Sequence, residues 1–105
     1  AQQAEQVFIE GFPDVPLLEG MEEQAGERLV FDAPSGTVAE TMILANKSGK
    51  AIIDDYAREL AVFGWLCVRQ PMAMRCHREK NALVFLNKAP AKKTGIIILR
   101  LKPLE

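Results

Sequence analysis

Over residues 49–63 the apolar side chains Ile52, Ile53, Tyr56, Leu60 and Phe63 recur at intervals of three and four, with Asp54, Asp55, Arg58 and Glu59 between them. That spacing lays one apolar stripe along an α-helix. Ser48 stands where an N-cap hydroxyl accepts a bond from a free amide of the first turn, and Gly64 stands where a helix stops in a left-handed residue. Elsewhere the pattern has a shorter range. Arg28-Leu29-Val30-Phe31, then Ala33-Pro34-Ser35-Gly36, then residues 37–45 read as strand, type I turn, strand. After the helix, residues 65–69, 74–79, 82–88 and 95–102 read as four more strands, with breaks at 70–73, 80–81 and 89–93.

The order is ββαββββ, and its short links favour antiparallel pairing. The predicted fold is α+β, one amphipathic helix packed on an antiparallel sheet. Residues 1–26 carry Gly11-Phe12-Pro13, Val15-Pro16 and Gly20, which interrupt any regular element, so they read as an extended N-terminal arm on a body of residues 27–105. Phe8, Phe12, Val15, Leu17, Leu18 and Met21 are its expected anchors. At 105 residues the whole chain forms one domain.

The last strand carries the most consequential pattern. Ile97, Leu99 and Leu101 point to one face, and Ile96, Ile98, Arg100 and Lys102 point to the other. A lone helix covers one face only. The other is left for Leu17 and Leu18 of the arm, for a ligand, or for a second copy of the chain, and a homodimer through Ile96 and Ile98 is the expectation. The function expected is accordingly binding, to a protein partner or to itself, and not catalysis. The alternative is a small carrier that holds an apolar or anionic ligand between helix and sheet.

Composition narrows this without deciding it. A hydrophobic content of 49 % with 26 % charged residues is ordinary for a folded domain and argues against a mainly disordered chain. The apolar runs, such as Ile96-Ile97-Ile98-Leu99, are strand-sized, so the chain is not expected to span a membrane. Charge is unevenly spread: residues 1–40 hold nine acids and one base, Arg28, whereas residues 41–105 hold twelve bases and five acids. The acidic part is expected to lie against the basic part, with an exposed basic surface for an anionic partner as the sharper alternative. The start at Ala1-Gln2-Gln3 is compatible with a cleaved export signal, which leads us to expect a periplasmic or secreted protein, or a cytoplasmic one if the start is a trimmed end.

Candidate chemistry is sparse. Asn46-Lys47-Ser48-Gly49-Lys50 superficially resembles a phosphate-binding loop, but Leu44 and Ala51 replace the glycine and the hydroxyl residue that the motif requires. His77 is the only histidine and lies in a basic run with Arg75, Arg78 and Lys80; Arg75 and His77 share a strand face and could contact an anion. No catalytic set, metal site or cofactor is expected. Cys67 and Cys76 lack zinc-ligand company. A four-residue hairpin loop at 70–73 would place them directly opposite each other, as a disulfide or as two buried thiols. The cationic strands lack the exposed aromatics that stack nucleic-acid bases, so nucleic acid is not an expected partner.

The segments Asp14-Val15-Pro16-Leu17-Leu18-Glu19-Gly20, Val30-Phe31-Asp32-Ala33-Pro34-Ser35-Gly36, and Tyr56-Ala57-Arg58-Glu59-Leu60 closing at Phe63-Gly64-Trp65 resemble small uncharacterised exported proteins of Gram-negative bacteria. The resemblance implies a cell-envelope location and carries over no functional residue.

Overall fold

The computed structural model describes residues 7–90 and 92–104; the first six residues of the arm, Ala91 of the 89–93 break and Glu105 lie outside the described residues. Along the chain run β1 (Val7–Phe8), β2 (Pro16–Leu17), β3 (Met21–Glu23), β4 (Leu29–Ala33), β5 (Gly36–Ala45), α1 (Gly49–Val62), β6 (Leu66–Gln70), β7 (Ala73–Arg78), β8 (Asn81–Asn87) and β9 (Gly95–Pro103). The expected α+β architecture with one helix and an antiparallel sheet is present.

Both ends of α1 follow from local chemistry. Ser48 Oγ accepts a bond from the Ala51 amide at 3.2 Å, satisfying a donor that the first turn leaves unpaired. At the other end Gly64 takes φ +88°, the Trp65 amide donates to the Leu60 carbonyl, and the Gly64 amide donates to the Ala61 carbonyl. That double closure reverses the chain and sends it into β6. The apolar stripe then faces the sheet: Ile52, Tyr56 and Leu60 are fully buried in one core cluster with Ile97, Leu99 and Leu101 of β9, whereas Phe63, at the helix cap, is only partly covered. Gly95 lets the start of α1 come close to β9, since a Cβ there would lie 2.6 Å from the Lys47 carbonyl oxygen.

The sheet runs β5-β9-β8-β7-β6 through antiparallel neighbours, and β3 and β4 lie one after the other along the free side of β5. The sequence reading took everything before residue 27 for an arm without regular structure. Instead β1 and β2 pair with each other, and Met21 to Glu23 join the sheet opposite Ala45 to Ile43. Backbone amides and carbonyls along a sheet margin need partners whatever the side chains are, and β5 is long enough to accept two short strands in succession. Between them residues 25–27 bulge out in a single 3₁₀ turn. Arg28 closes the bulge with a two-pronged bond to Glu23, and the Thr41 hydroxyl donates to the same carboxylate at 2.6 Å. Arg28 first, and Thr41 with it, hold the Glu23 carboxyl below its ordinary pKa, against the opposing effect of burial.

The arm lies over the helix side of the sheet. Ile9, Phe12 and Val15 enter the core cluster, Phe8 meets Phe63 edge to face, and the buried Tyr56 hydroxyl donates to the Pro16 carbonyl at 2.7 Å. Arg78 ties three elements at one point: it donates to Asp14 of the arm and to the Phe63 carbonyl at the end of α1, and its guanidinium sits 4.8 Å above the Trp65 ring.

Replacing Leu60 by Ala truncates a fully buried side chain of the helix stripe. A loss of roughly 2–5 kcal/mol is expected for such a buried truncation, read from the shift of a denaturant titration. A loss under about half a kcal/mol, the range of surface substitutions, would contradict this placement.

Candidate functional site

Alternation along each strand separates the two faces of the sheet, and register aligns the residues that turn away from α1. Leu44 stands beside Ile96, and Met42, Ile98 and Leu86 form the next row. Below them run Glu40, Arg100, Val84, Arg75 and Val68, and then Val38, Lys102, Ala82, His77 and Leu66. β4 adds Leu29 opposite Glu40 and Phe31 opposite Val38. One end of this open face is therefore apolar, a cationic band crosses the other end, and apolar side chains flank it on both margins.

With strands about 4.8 Å apart and alternate residues about 6.6 Å apart, the face measures on the order of 24 by 20 Å. Its flat footprint, close to 500 Å², is on the scale of the surface patches that mark interaction sites on small proteins. Leu29, Phe31, Leu66 and Val68 at its margins are 57–64 % exposed. Ile96 and Ile98, expected to stand free, are only partly accessible, because Met42, Leu44 and Leu86 shoulder them within the same face.

The proposed cover by the arm is not what the structure contains. Leu17 and Leu18 pack against the core cluster on the helix side, drawn there by the Tyr56–Pro16 bond and the β1–β2 pairing. Among the described residues both the arm and α1 lie on that side, and only Leu104 borders the open face.

Two sets of candidate residues that the sequence kept apart meet here. Lys102 joins Ile96, Ile98 and Arg100 to Arg75 and His77, and Lys102, Arg75 and His77 border a shallow cleft of about 430 Å³ walled by Val68, Val84 and Leu104. Arg100 is paired with Glu40 directly across the strands at 2.6 Å. Charge balance between the two parts of the chain is only partial: Asp14–Arg78 and Glu40–Arg100 join the acidic part to the basic part, whereas the other ion pairs among the described residues stay within one part. Arg75 and Lys102, which also face outward on the sheet, have no ion pair with the acidic segment among the described residues.

Cys67 and Cys76 are bonded to each other, opposite in register with Cα atoms 4.0 Å apart. The hairpin loop is tighter than expected, two residues with Met72 at φ +56°, but it keeps the same pairing. The bond joins β6 to β7 on the helix side, which turns Leu66 and Val68 to the open face. Sequence reasoning missed those two, although fixing the cysteines on the core face assigns their neighbours by alternation.

Between helix and sheet the space is filled by Tyr56, Phe85, Met74 and Leu83, all fully buried. A cleft of about 480 Å³ opens beside the start of α1, lined by Lys50, Ile53, Met72 and Pro90, where Arg69 is engaged by Asp54. Among the described residues no group of three or more His, Cys, Asp or Glu side chains is placed to hold a metal ion, and no helix is long and apolar enough to cross a membrane. No family model, no curated protein and no solved structure matches this chain.

The Cys67–Cys76 bond closes a short loop, for which chain entropy gives a stabilisation of at most about 3 kcal/mol. Reducing and alkylating the unfolded protein is expected to label both thiols, and omitting the reductant is expected to label neither. Labelling without reductant, in protein taken from its own compartment, would contradict the bond.

Proposed function

We propose that this protein is a non-enzymatic binding protein of the cell envelope, that it acts by docking a protein chain on the open face of its sheet, and that the chain it docks is a second copy of itself. The observation that carries this reading is the apolar end of the face, where Leu44, Ile96, Met42, Ile98 and Leu86 lie side by side with no described segment above them. Bringing two such surfaces together removes apolar area from water, the main favourable contribution to association.

The cationic band favours an offset arrangement. Stacking two faces in full overlap would set Arg75 and Lys102 of one copy near those of the other, at a Coulombic cost. Sliding the copies so that only the apolar ends overlap leaves these cations at a solvated rim, the usual distribution of polar groups around an interface. An envelope location is supported by the Cys67–Cys76 bond, since disulfides persist in oxidising compartments. The cleft shared by Arg75, His77 and Lys102 favours a second reading, a carrier of an anionic ligand.

Changing Ile96 and Ile98 together to Thr keeps β-branched residues in the strand while making the face polar. The expected result is a lower oligomer mass through loss of the face contact, read by native mass and sedimentation, with thermal stability nearly kept. A dimer unaffected by the change would remove the face from the contact. A wild-type chain that is monomeric at every concentration and carries an additional small-molecule mass would support the carrier reading instead.

A further inference from the structure

β4 is a margin strand whose outer side has no strand beside it among the described residues. Its first three residues are all substantially accessible, with Leu29 61 %, Val30 46 % and Phe31 57 % exposed. Bare apolar margins of this kind template pairing with another chain, and proteins commonly blunt them with lysine, proline or a bulge. None of these interrupts Leu29-Val30-Phe31.

The backbone groups that remain can be identified. The Met42 carbonyl accepts from the Gln24 amide at 2.8 Å, so even-numbered residues of β5 direct their backbone groups toward the margin that β3 and β4 occupy. Through the register, Gly36, Val38 and Glu40 exchange bonds with Ala33, Phe31 and Leu29. Alternation then turns the amides and carbonyls of Val30 and Asp32 outward, away from β5.

We infer that β4 pairs antiparallel with β4 of a second copy about a two-fold axis through Val30, joining the two sheets into one. The register follows from the sequence Arg28-Leu29-Val30-Phe31-Asp32. Residues directly opposite in an antiparallel pair must share a face, so the axis can only pass through a residue. Through Val30, Val30 meets its own counterpart, Leu29 meets Phe31, and Arg28 meets Asp32. Every apolar residue faces an apolar one and every charge faces its opposite. Moving the axis to Phe31 sets Val30 against Asp32, and moving it to Leu29 sets Val30 against Arg28 and Phe31 against Glu27. Only the Val30 axis is self-complementary.

The same axis uses the outward backbone groups: the two Val30 residues exchange a pair of N–H···O bonds, and each Asp32 amide reaches the Arg28 carbonyl opposite. The Arg28 side chain has capacity for the added carboxylate, since Glu10 and Glu23 engage three of its five N–H donors. On the open face, Leu29 and Phe31 of the two copies form a four-residue cross-strand cluster, which covers the most exposed apolar residues on that margin.

This contact rests on the backbone margin and its register, and it is separate from the stacking of open faces. Val30→Pro removes the outward amide at the axis without removing a bond to β5, a position at which a margin strand accepts proline. Losing two reciprocal bonds is expected to raise the dissociation constant of the edge-paired dimer at least about tenfold, while the Ile96→Thr/Ile98→Thr variant keeps that dimer. Amide exchange on the wild-type chain gives a readout independent of whether the proline variant folds. Val30 and Asp32 are expected to become protected as protein concentration rises through the association range. Fast exchange of both amides at concentrations where the chain is dimeric, or a chain monomeric at all concentrations, overturns the edge contact. If the proline variant stays dimeric and the threonine variant does not, the face contact stands and the edge contact fails; the reverse result assigns the dimer to the edge.

Discussion

A sheet five to six strands wide has two faces to shield from water, and this chain supplies one helix. That inequality governs the rest of the molecule. On the side that α1 covers, shielding extends over the core: the helix stripe meets β9, the arm packs beside the helix, and Tyr56, Trp65, Phe85 and Met74 are buried with little or no exposure. The Tyr56–Pro16 bond and the junction at Arg78 commit the arm to that side. By doing so they withdraw the arm from the other side. The open face is thus a consequence of how well the first face is closed.

Charge is distributed in keeping with that division. The acidic first part spends Glu23 and Glu10 on Arg28, fixing the bulge between β3 and β4, and spends Asp14 on Arg78, fixing the arm. Glu40 alone reaches across the open face, to Arg100. The more exposed of these pairs, such as Glu40–Arg100, contribute little stability, roughly 0–1 kcal/mol each. The effect of these pairs is positional: they leave Arg75 and Lys102, on either side of His77, as a band that restricts which surfaces can lie flat on the face.

Much of this was legible in the sequence, because local periodicity and turn chemistry fix local structure. The 3.6-residue recurrence of Ile52, Tyr56 and Leu60 between Ser48 and Gly64 located the helix, and counting back across the 70–73 turn placed Cys67 opposite Cys76. The alternation of Ile96 and Ile98 with Ile97 and Leu99 exposed the two-faced strand. What escaped depends on contacts distant in sequence. Met21-Glu22-Glu23 has no strand-like alternation and joins the sheet because β5 offers it a ladder. Leu29, Phe31, Leu66 and Val68 belong to the candidate face only through the register of their strands. Nothing in Leu17-Leu18 says which side of the sheet they will cover, since the Tyr56 hydroxyl that decides it lies about forty residues away.

A binding face is covered in solution, and side-chain footprinting with a photogenerated carbene reads that cover directly. Val62, 76 % exposed on the outer side of α1, serves as an internal reference. If the face is an interface between copies, labelling of Met42, Leu86 and Ile98 falls relative to Val62 as the protein is concentrated, and falls together across the three strands. Labelling that holds a constant ratio to Val62 from the most dilute to the most concentrated sample would mean that these residues meet only water, and the central claim would be wrong.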